Sequence, residues 1–463
     1  MGNSSQRTSI TSTHPASPSS CLSQQQKSSP QLSKSFLSTF SKNIKNRKKC
    51  HATLAKCLEC THIIAEGQND KGQLGLGVTT EERLPLRPIA ESVTLSSGLP
   101  SFGNNPLTSV KMVAAGRSHF LLVTNSNKLY GLGLNNYSQT GYNRLTHSNL
   151  TKLTEIQIPA QYSSITGVAA GWLHSIIILD YNKVYCVGHC SFGQLFSNEF
   201  SEVNKFTKVT TLEFVEKESR TVTDVSCATF SSSIVVDGWK IHACGEMNGN
   251  SNQKNFSVPH CEIFKESKIK TFKHTDHGLI VLQENGNVYC CNNQTPFHIL
   301  MQQVACIAPS HMYDTIFFLK QHSSTLSQFT LSDSHASTHH ADYELALLKK
   351  EHSIHSPTNQ MSNLDIYCGY CYYYLVLNKK VIYSIEPNGL QKILSLEGVP
   401  TSVRVKQVIS SSDATYYLFE EGSQNATSES LNNKTLHLRR MKNLLNSCIH
   451  SGSCLSDVTI QCS

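Results

Sequence analysis

The sequence predicts an all-β chain folded as a seven-bladed β-propeller. Three observations lead there. A unit recurs along the chain, with the valine of V-A-A-G at Val113 returning at Val168, a period of 55 residues. Each unit holds short apolar runs rich in β-branched and aromatic residues, broken by turn signals such as Asn285-Gly286 and Asp180-Tyr181-Asn182. The repeat begins with the second half of a unit and ends with the first half of one, with six whole copies between them.

The opening half-unit is HIIAEGQNDKGQLGLG, from His62. The two clearest whole copies are VKMVAAGRSHFLLVTNSNKLYGLGLNNYSQTGYN, from Val110, and ITGVAAGWLHSIIILDYNKVYCVGHCSFGQLFSN, from Ile165. Weaker copies start at Val222, Ile269, Val304 and Asn363, and a final first half starts at Val405. A few antiparallel strands cannot bury a face alone, so the units must pack on one another. Four-stranded sheets repeated radially do this. The two half-units would complete one blade and remove the open edges.

The shared skeleton is V-x-x-V-A-A-G-x-x-H, then V/L-Y-x-x-G, then G/S-Q-x-G. Its fixed positions are Gly67, Gly72, Gly75, Gly77, Gly116, His119, Gly171, His174, Gly188 and Gly193. The spacing Gly72-Gln-Leu-Gly75-Leu-Gly77 does not match a dinucleotide-binding G-x-G-x-x-G, and no helical period follows before Pro85. These glycines are therefore read as turn and close-approach positions. The skeleton resembles the regulator of chromosome condensation repeat family, which implies a seven-bladed propeller. The resemblance covers roughly residues 50–420 and is most specific at Gly67–Gly77, Ala114–His119 and Ala169–His174.

Around the propeller, expected over 50–422, the composition changes. Of the formal net charge of +7, residues 1–49 carry eight Lys and Arg and no Asp or Glu, so the rest is near neutral. This Ser-rich tail has no apolar period and is expected to be disordered. Met1-Gly2-Asn-Ser-Ser-Gln6 approaches a myristoylation start at Gly2, with Gln6 where Ser or Thr is preferred. The basic run 42–49 reads equally as a second membrane signal or a nuclear address. Residues 321–360 break the repeat and read as a His- and Ser-rich insertion, with a short helical patch over Tyr343–Lys350. From 423, a linker leads to an amphipathic helix ending near Ser447, then Leu455-Ser-Asp-Val-Thr-Ile460. That ending resembles the start of a BTB domain, truncated here, which one branch of the family carries after its propeller.

With 17 cysteines, no secretory signal and no apolar run long enough for a membrane helix, the chain is expected to be intracellular, cytoplasmic or nuclear, with free thiols. Cys57-x-x-Cys60 and Cys368-x-x-Cys371 have zinc-like spacing, but Cys368 and Cys371 align with the small residues Ala115 and Ser118, so packing is the preferred reading. His119 and His174 occupy equivalent positions; hydrogen bonding to backbone between blades is preferred over facing a ligand. Trp172 is either an exposed interface anchor or packed on the next blade. No catalytic grouping, metal site or cofactor site stands out, and the chain is expected not to be an enzyme.

The functional expectation is a protein-interaction scaffold or adaptor working through propeller-face loops, with an unidentified protein partner. The branch with a BTB domain implies a cullin-type ubiquitin ligase adaptor, which would need the complete BTB domain. The founding member implies guanine nucleotide exchange on a Ran-like GTPase. Chromatin association through the basic tail is a third reading.

Overall fold

The computed structural model describes residues 63–88, 110–197, 202–246, 256–291, 296–310, 315–321, 325–330, 341–344, 364–370, 372–386, 389–396 and 403–421. They form seven four-stranded antiparallel sheets, the blades of a propeller. Blades two to seven use residues 110–156, 165–208, 222–257, 269–301, 304–344 and 364–395, with strands ordered from the axis outward as they come in the chain. Blade one joins the two ends of the repeat. Val403–Ser410 and Ala414–Glu421 supply its inner strands, and Ile63–Asn69 and Thr80–Pro88 its outer ones. Ile63 pairs with Leu418 and Gly67 with Ala414, so the expected shared blade is present.

The core explains why the strands read as continuous apolar runs. Among the described residues there are seven hydrophobic clusters, and each lies between two neighbouring blades. In His119–Thr124, Phe120 and Leu122 face blade one while Leu121 and Val123 face blade three. Period-two alternation thus feeds both faces, so no position is left for a polar stripe. Each such fully buried side chain contributes about 1.5–3 kcal/mol of transfer free energy.

A bulge recurs in the first strand of blades one to six. Register slips between Val110 and Met112, Ile165 and Gly167, Val222 and Asp224, Ile269 and Thr271, Val304 and Cys306, and Val405 and Gln407. The extra residue is re-aimed out of the sheet. In three blades it is a lysine that reaches the next blade: Lys111 Nζ donates to Ile165 O at 2.7 Å, Lys270 Nζ to Ala305 O at 2.7 Å, and Lys406 Nζ to Val110 O at 2.7 Å.

Two expectations need correction. The span 321–360 is not wholly an insertion, because Thr325–Thr330 and Ala341–Glu344 are the outer strands of blade six. Tyr343 and Glu344 therefore belong to a strand and not to a helix; pairing of Tyr343 with Leu326 overrides the local leucine spacing. Among the described residues the α-helix is Glu213–Lys217, which follows the 3-10 turn Thr210–Leu212 between blades three and four and buries Val215. The helix expected before Ser447, the LSDVTI ending, Gly2, the basic run and Cys57, Cys60 and Cys371 lie outside the described residues.

Candidate functional site

Antiparallel order sorts the connections. The first-to-second turn and the third-to-fourth loop of each blade leave at one end of the sheet, here the upper face. The second-to-third turn leaves at the lower face.

On the upper face the first-to-second turns interlock around the axis. A Cβ on Gly116 would lie 2.3 Å from Gly171 O, and one on Gly171 would lie 2.5 Å from Ala228 O, so glycine lets three successive turns touch. Arg117 N donates to Gly171 O at 3.2 Å. Ser118 Oγ donates to Asp413 Oδ2 at 2.8 Å and Ser412 Oγ to Arg117 O at 2.8 Å, tying blade two to blade one. Gly67, Gly72, Gly75, Gly77, Gly188 and Gly193 all have positive φ, from 66° to 131°.

His119 and His174 are fully buried, and each bridges to the next blade. Each reaches a side-chain hydroxyl of the next blade: Nε2 of His119 meets Ser175 Oγ at 2.9 Å, and Nε2 of His174 meets Ser232 Oγ at 2.8 Å, while His174 also has a backbone hydrogen bond to Ser231, of the kind expected from sequence. A serine follows the repeat histidine by one position in blade three, where it had room to serve blade two. Ser175 gives its one proton to Gln139 O at 2.7 Å, so it accepts from His119, whose Nε2 carries hydrogen. Burial holds both imidazoles far below their usual value, at about 3, and hence neutral.

The third-to-fourth loops are stapled by an asparagine and a glutamine four residues apart, a pair the sequence reading passed over. Asn69 Oδ1 accepts from Leu74 N at 3.0 Å, and Asn135 Oδ1 accepts from Thr140 N at 3.2 Å. Gln73, Gln139 and Gln194 each cap a backbone N–H two residues earlier, at 2.8, 2.9 and 3.0 Å. The signal was the constant glutamine of G/S-Q-x-G. In blade three Cys190 replaces the asparagine and is buried.

These turns and loops carry a band of aromatic rings across blades two to four. Tyr137 meets His189 at 5.0 Å, His189 meets Phe192 at 6.0 Å, Phe192 meets Phe230 at 4.3 Å, and Phe230 meets Trp172 at 5.0 Å. Arg117 lies over the Trp172 ring at 4.0 Å. Trp172 thus packs on the next blade and remains half-buried, as do Tyr137 and Phe192. Leu145, 87% exposed, stands at the tip of the blade-two loop on the same face. Asn143 holds that tip by accepting from Leu145 N at 3.0 Å and Thr146 Oγ at 2.9 Å. Toward the axis, Thr229 Oγ donates to Asp276 Oδ2 at 2.5 Å, so Tyr370 Oη, 2.9 Å away across the ring, donates to Thr229.

Elsewhere the described residues offer less. A cavity of about 250 Å³ at the first strands of blades one to four is lined by Lys111, Thr166, Thr223, Asp224 and Gln407, among others. Its lysine is already engaged by Asn127 Oδ1 at 3.0 Å and Ile165 O. Cys186, Cys190, Cys227 and Cys244 share the core between blades three and four, and burial pushes their thiols up, Cys227 to about 12. Cys290 and Cys291 lie in a strand and are likewise buried; Cys368 ends a first strand. Among the described residues no cluster of three metal-binding side chains occurs, and no helix is long and apolar enough to cross a membrane.

Residues 110–139 match the regulator of chromosome condensation (RCC1) repeat. The chain is similar to the ultraviolet-B receptor UVR8 of Arabidopsis thaliana, 31% identical over 147 residues, which are 30% of this chain and 28% of that protein. It is similar to the mouse secretion-regulating guanine nucleotide exchange factor, 32% identical over 133 residues, or 29% and 25% of the two chains. The matches thus span about a quarter of these two relatives' length. Among solved structures, Prp20p from Saccharomyces cerevisiae, described with its binding to Gsp1p and histones, aligns with TM-score 0.55 at 12% identity, covering 82% of this chain and 94% of that one. At that identity the likeness speaks for the fold.

Proposed function

Taking the chain as a seven-bladed propeller of regulator of chromosome condensation repeats, we propose that it is a non-enzymatic protein-interaction module, a scaffold or adaptor, that meets its partner with the upper face of blades two to four. The observation that supports this reading is the aromatic band from Tyr137 to Trp172, with the exposed Leu145 on the same face. Half-buried aromatics and arginine on rigid turns are the residue types that anchor interfaces. The described loops of blades two and three are held by Asn135, Gln139 and Gln194, so this part of the surface is preorganised and loses little entropy on docking.

The test compares partners captured by the wild-type chain with those captured by Leu145→Asp and Phe192→Ser, and by Tyr181→Ser. Tyr181 is 59% exposed in a lower-face turn. Loss with the two upper-face variants and retention with Tyr181→Ser supports the reading. The opposite pattern overturns it.

A second reading is guanine nucleotide exchange on a small GTPase of the Ran type. It is supported by the stretch similar to the mouse exchange factor. Accelerated release of labelled GDP from such a GTPase would carry it, and an unchanged release rate would remove it.

A further inference from the structure

The aromatic band ends in two carboxylates. Glu246 follows the third strand of blade four, and its N–H donates to Phe230 O at 2.9 Å. Asp276, in the first turn of blade five, accepts from Thr229 N at 2.7 Å and Thr229 Oγ at 2.5 Å. Thr229 and Phe230 are consecutive, so both acidic residues adjoin the turn that carries the ring on which Phe192 and Trp172 pack. Both are half-buried, and burial holds both carboxyls above their usual range, Glu246 adding to the effect at Asp276. Among the described residues neither has a lysine or arginine partner. One arginine shares this surface. Arg117 lies over the Trp172 ring, which itself packs on Phe230, and His277 neighbours Asp276.

This arrangement discriminates between occupants. A neutral apolar partner would desolvate two carboxylates without compensation. An acidic partner would add like charge. A cation is favoured by both carboxylates and by the negative faces of the rings. Resting on the interaction reading above, we propose that this end of the band receives a lysine or arginine side chain on a basic peptide segment of a partner protein. Glu246 and Asp276 are the counter-charges and Phe192 is the aromatic face.

The test uses the full chain and a labelled Lys/Arg-rich peptide with blocked ends, beside a counterpart of the same length with Glu for each basic residue. Anisotropy titrations at low and high salt are read for wild type, Glu246→Gln, Phe192→Leu and Tyr181→Ser. The expected result is binding of the basic peptide only, weakened about fivefold by Glu246→Gln and about threefold by Phe192→Leu, and unchanged by Tyr181→Ser. Thermal melts confirm that each variant is folded. Equal affinity in Glu246→Gln, or equal binding of the acidic peptide, overturns the proposal. If Leu145→Asp and Phe192→Ser abolish partner capture while Glu246→Gln binds the basic peptide as wild type does, the interaction reading stands and the charge assignment falls.

Discussion

The ammonium of Lys406 donates to the carbonyl of Val110 at 2.7 Å, across 296 positions of sequence. Lys406 is the bulged residue of the blade that joins the two ends of the repeat, and Val110 opens the first strand of blade two. The contact therefore helps to seal the ring where its two ends meet. It repeats locally what Lys111 does at Ile165 and Lys270 at Ala305. Lys406→Met keeps the apolar stem and removes the charged donor. A hydrogen bond from a charged group contributes about 1.5–3 kcal/mol, so a loss of about 2 kcal/mol is expected. Urea unfolding checks this: the midpoint should fall with the slope unchanged, and an unshifted midpoint would show that the clamp is idle.

Glycine positions separate two kinds of cost. Gly67 has φ 131°, and a Cβ there would lie 2.3 Å from Asp413 O, a backbone atom that cannot step aside. Gly238 has φ 77° with nothing within 4 Å. Gly238→Ala should cost about 1 kcal/mol for the left-handed backbone alone. Gly67→Ala should cost about 3 kcal/mol or more, because conformational strain and a clash in the closing blade add. Paired thermal melts read the difference, and equal shifts would contradict it.

Acid should loosen the molecule through its blade-bridging histidines. His119 and His174 have folded values of about 3 against an ordinary 6.5. Depressed values mean that folding favours the neutral form. The stabilisation is fully present above pH 6.5 and is lost as pH falls toward 3. In that window each histidine contributes a slope of about 1.4 kcal/mol per pH unit. His119→Gln with His174→Gln keeps a neutral donor for Ser175 and Ser232. The double variant should be less stable at pH 8 and show a shallower loss between pH 6.5 and 5. A slope equal to wild type would mean that the imidazoles are not the acid-sensitive groups.

What was legible in the sequence follows from what the repeat had to keep. Strands buried on both faces must remain apolar, so even the copies at Val304 and Asn363 could be read as blades without their glycines. Closure was legible because each end of the repeat carries the complementary half of a unit. The site was less so. Phe192 and Phe230 occupy different parts of the unit in adjacent blades, and no alignment of copies brings them together. Ser175 and Ser232 look like ordinary strand residues until the next blade is in place. The outer strands of blade six, TLSQFT and ADYE, were hidden because they are short and polar residues interrupt the apolar alternation. Thr229 and Tyr370 meet across the axis, a relation set only by the number of blades.

The loop that displays Leu145 offers the sharpest link between stability and recognition. Asn135 is fully buried, and its one side chain serves four groups: Nδ2 donates to Tyr142 O at 3.1 Å and to His147 O at 2.9 Å, and Oδ1 accepts from Thr140 N at 3.2 Å and Thr140 Oγ at 2.5 Å. Asn135→Ala leaves the backbone groups of Thr140, Tyr142 and His147 without these partners, and stranded polar groups cost about 1–3 kcal/mol each where water cannot reach them. A loss of about 3 kcal/mol is expected. Because these bonds span the base of the 135–148 loop, the change should also free its tip. Amide exchange at 140–147 should accelerate while exchange at Phe120–Val123, in the core of the same blade, stays slow. Partner capture should then fall although Leu145 and Tyr137 are unaltered, since a loosened loop must be ordered again on binding. Faster exchange throughout the blade would show instead that Asn135 supports the sheet and not the loop.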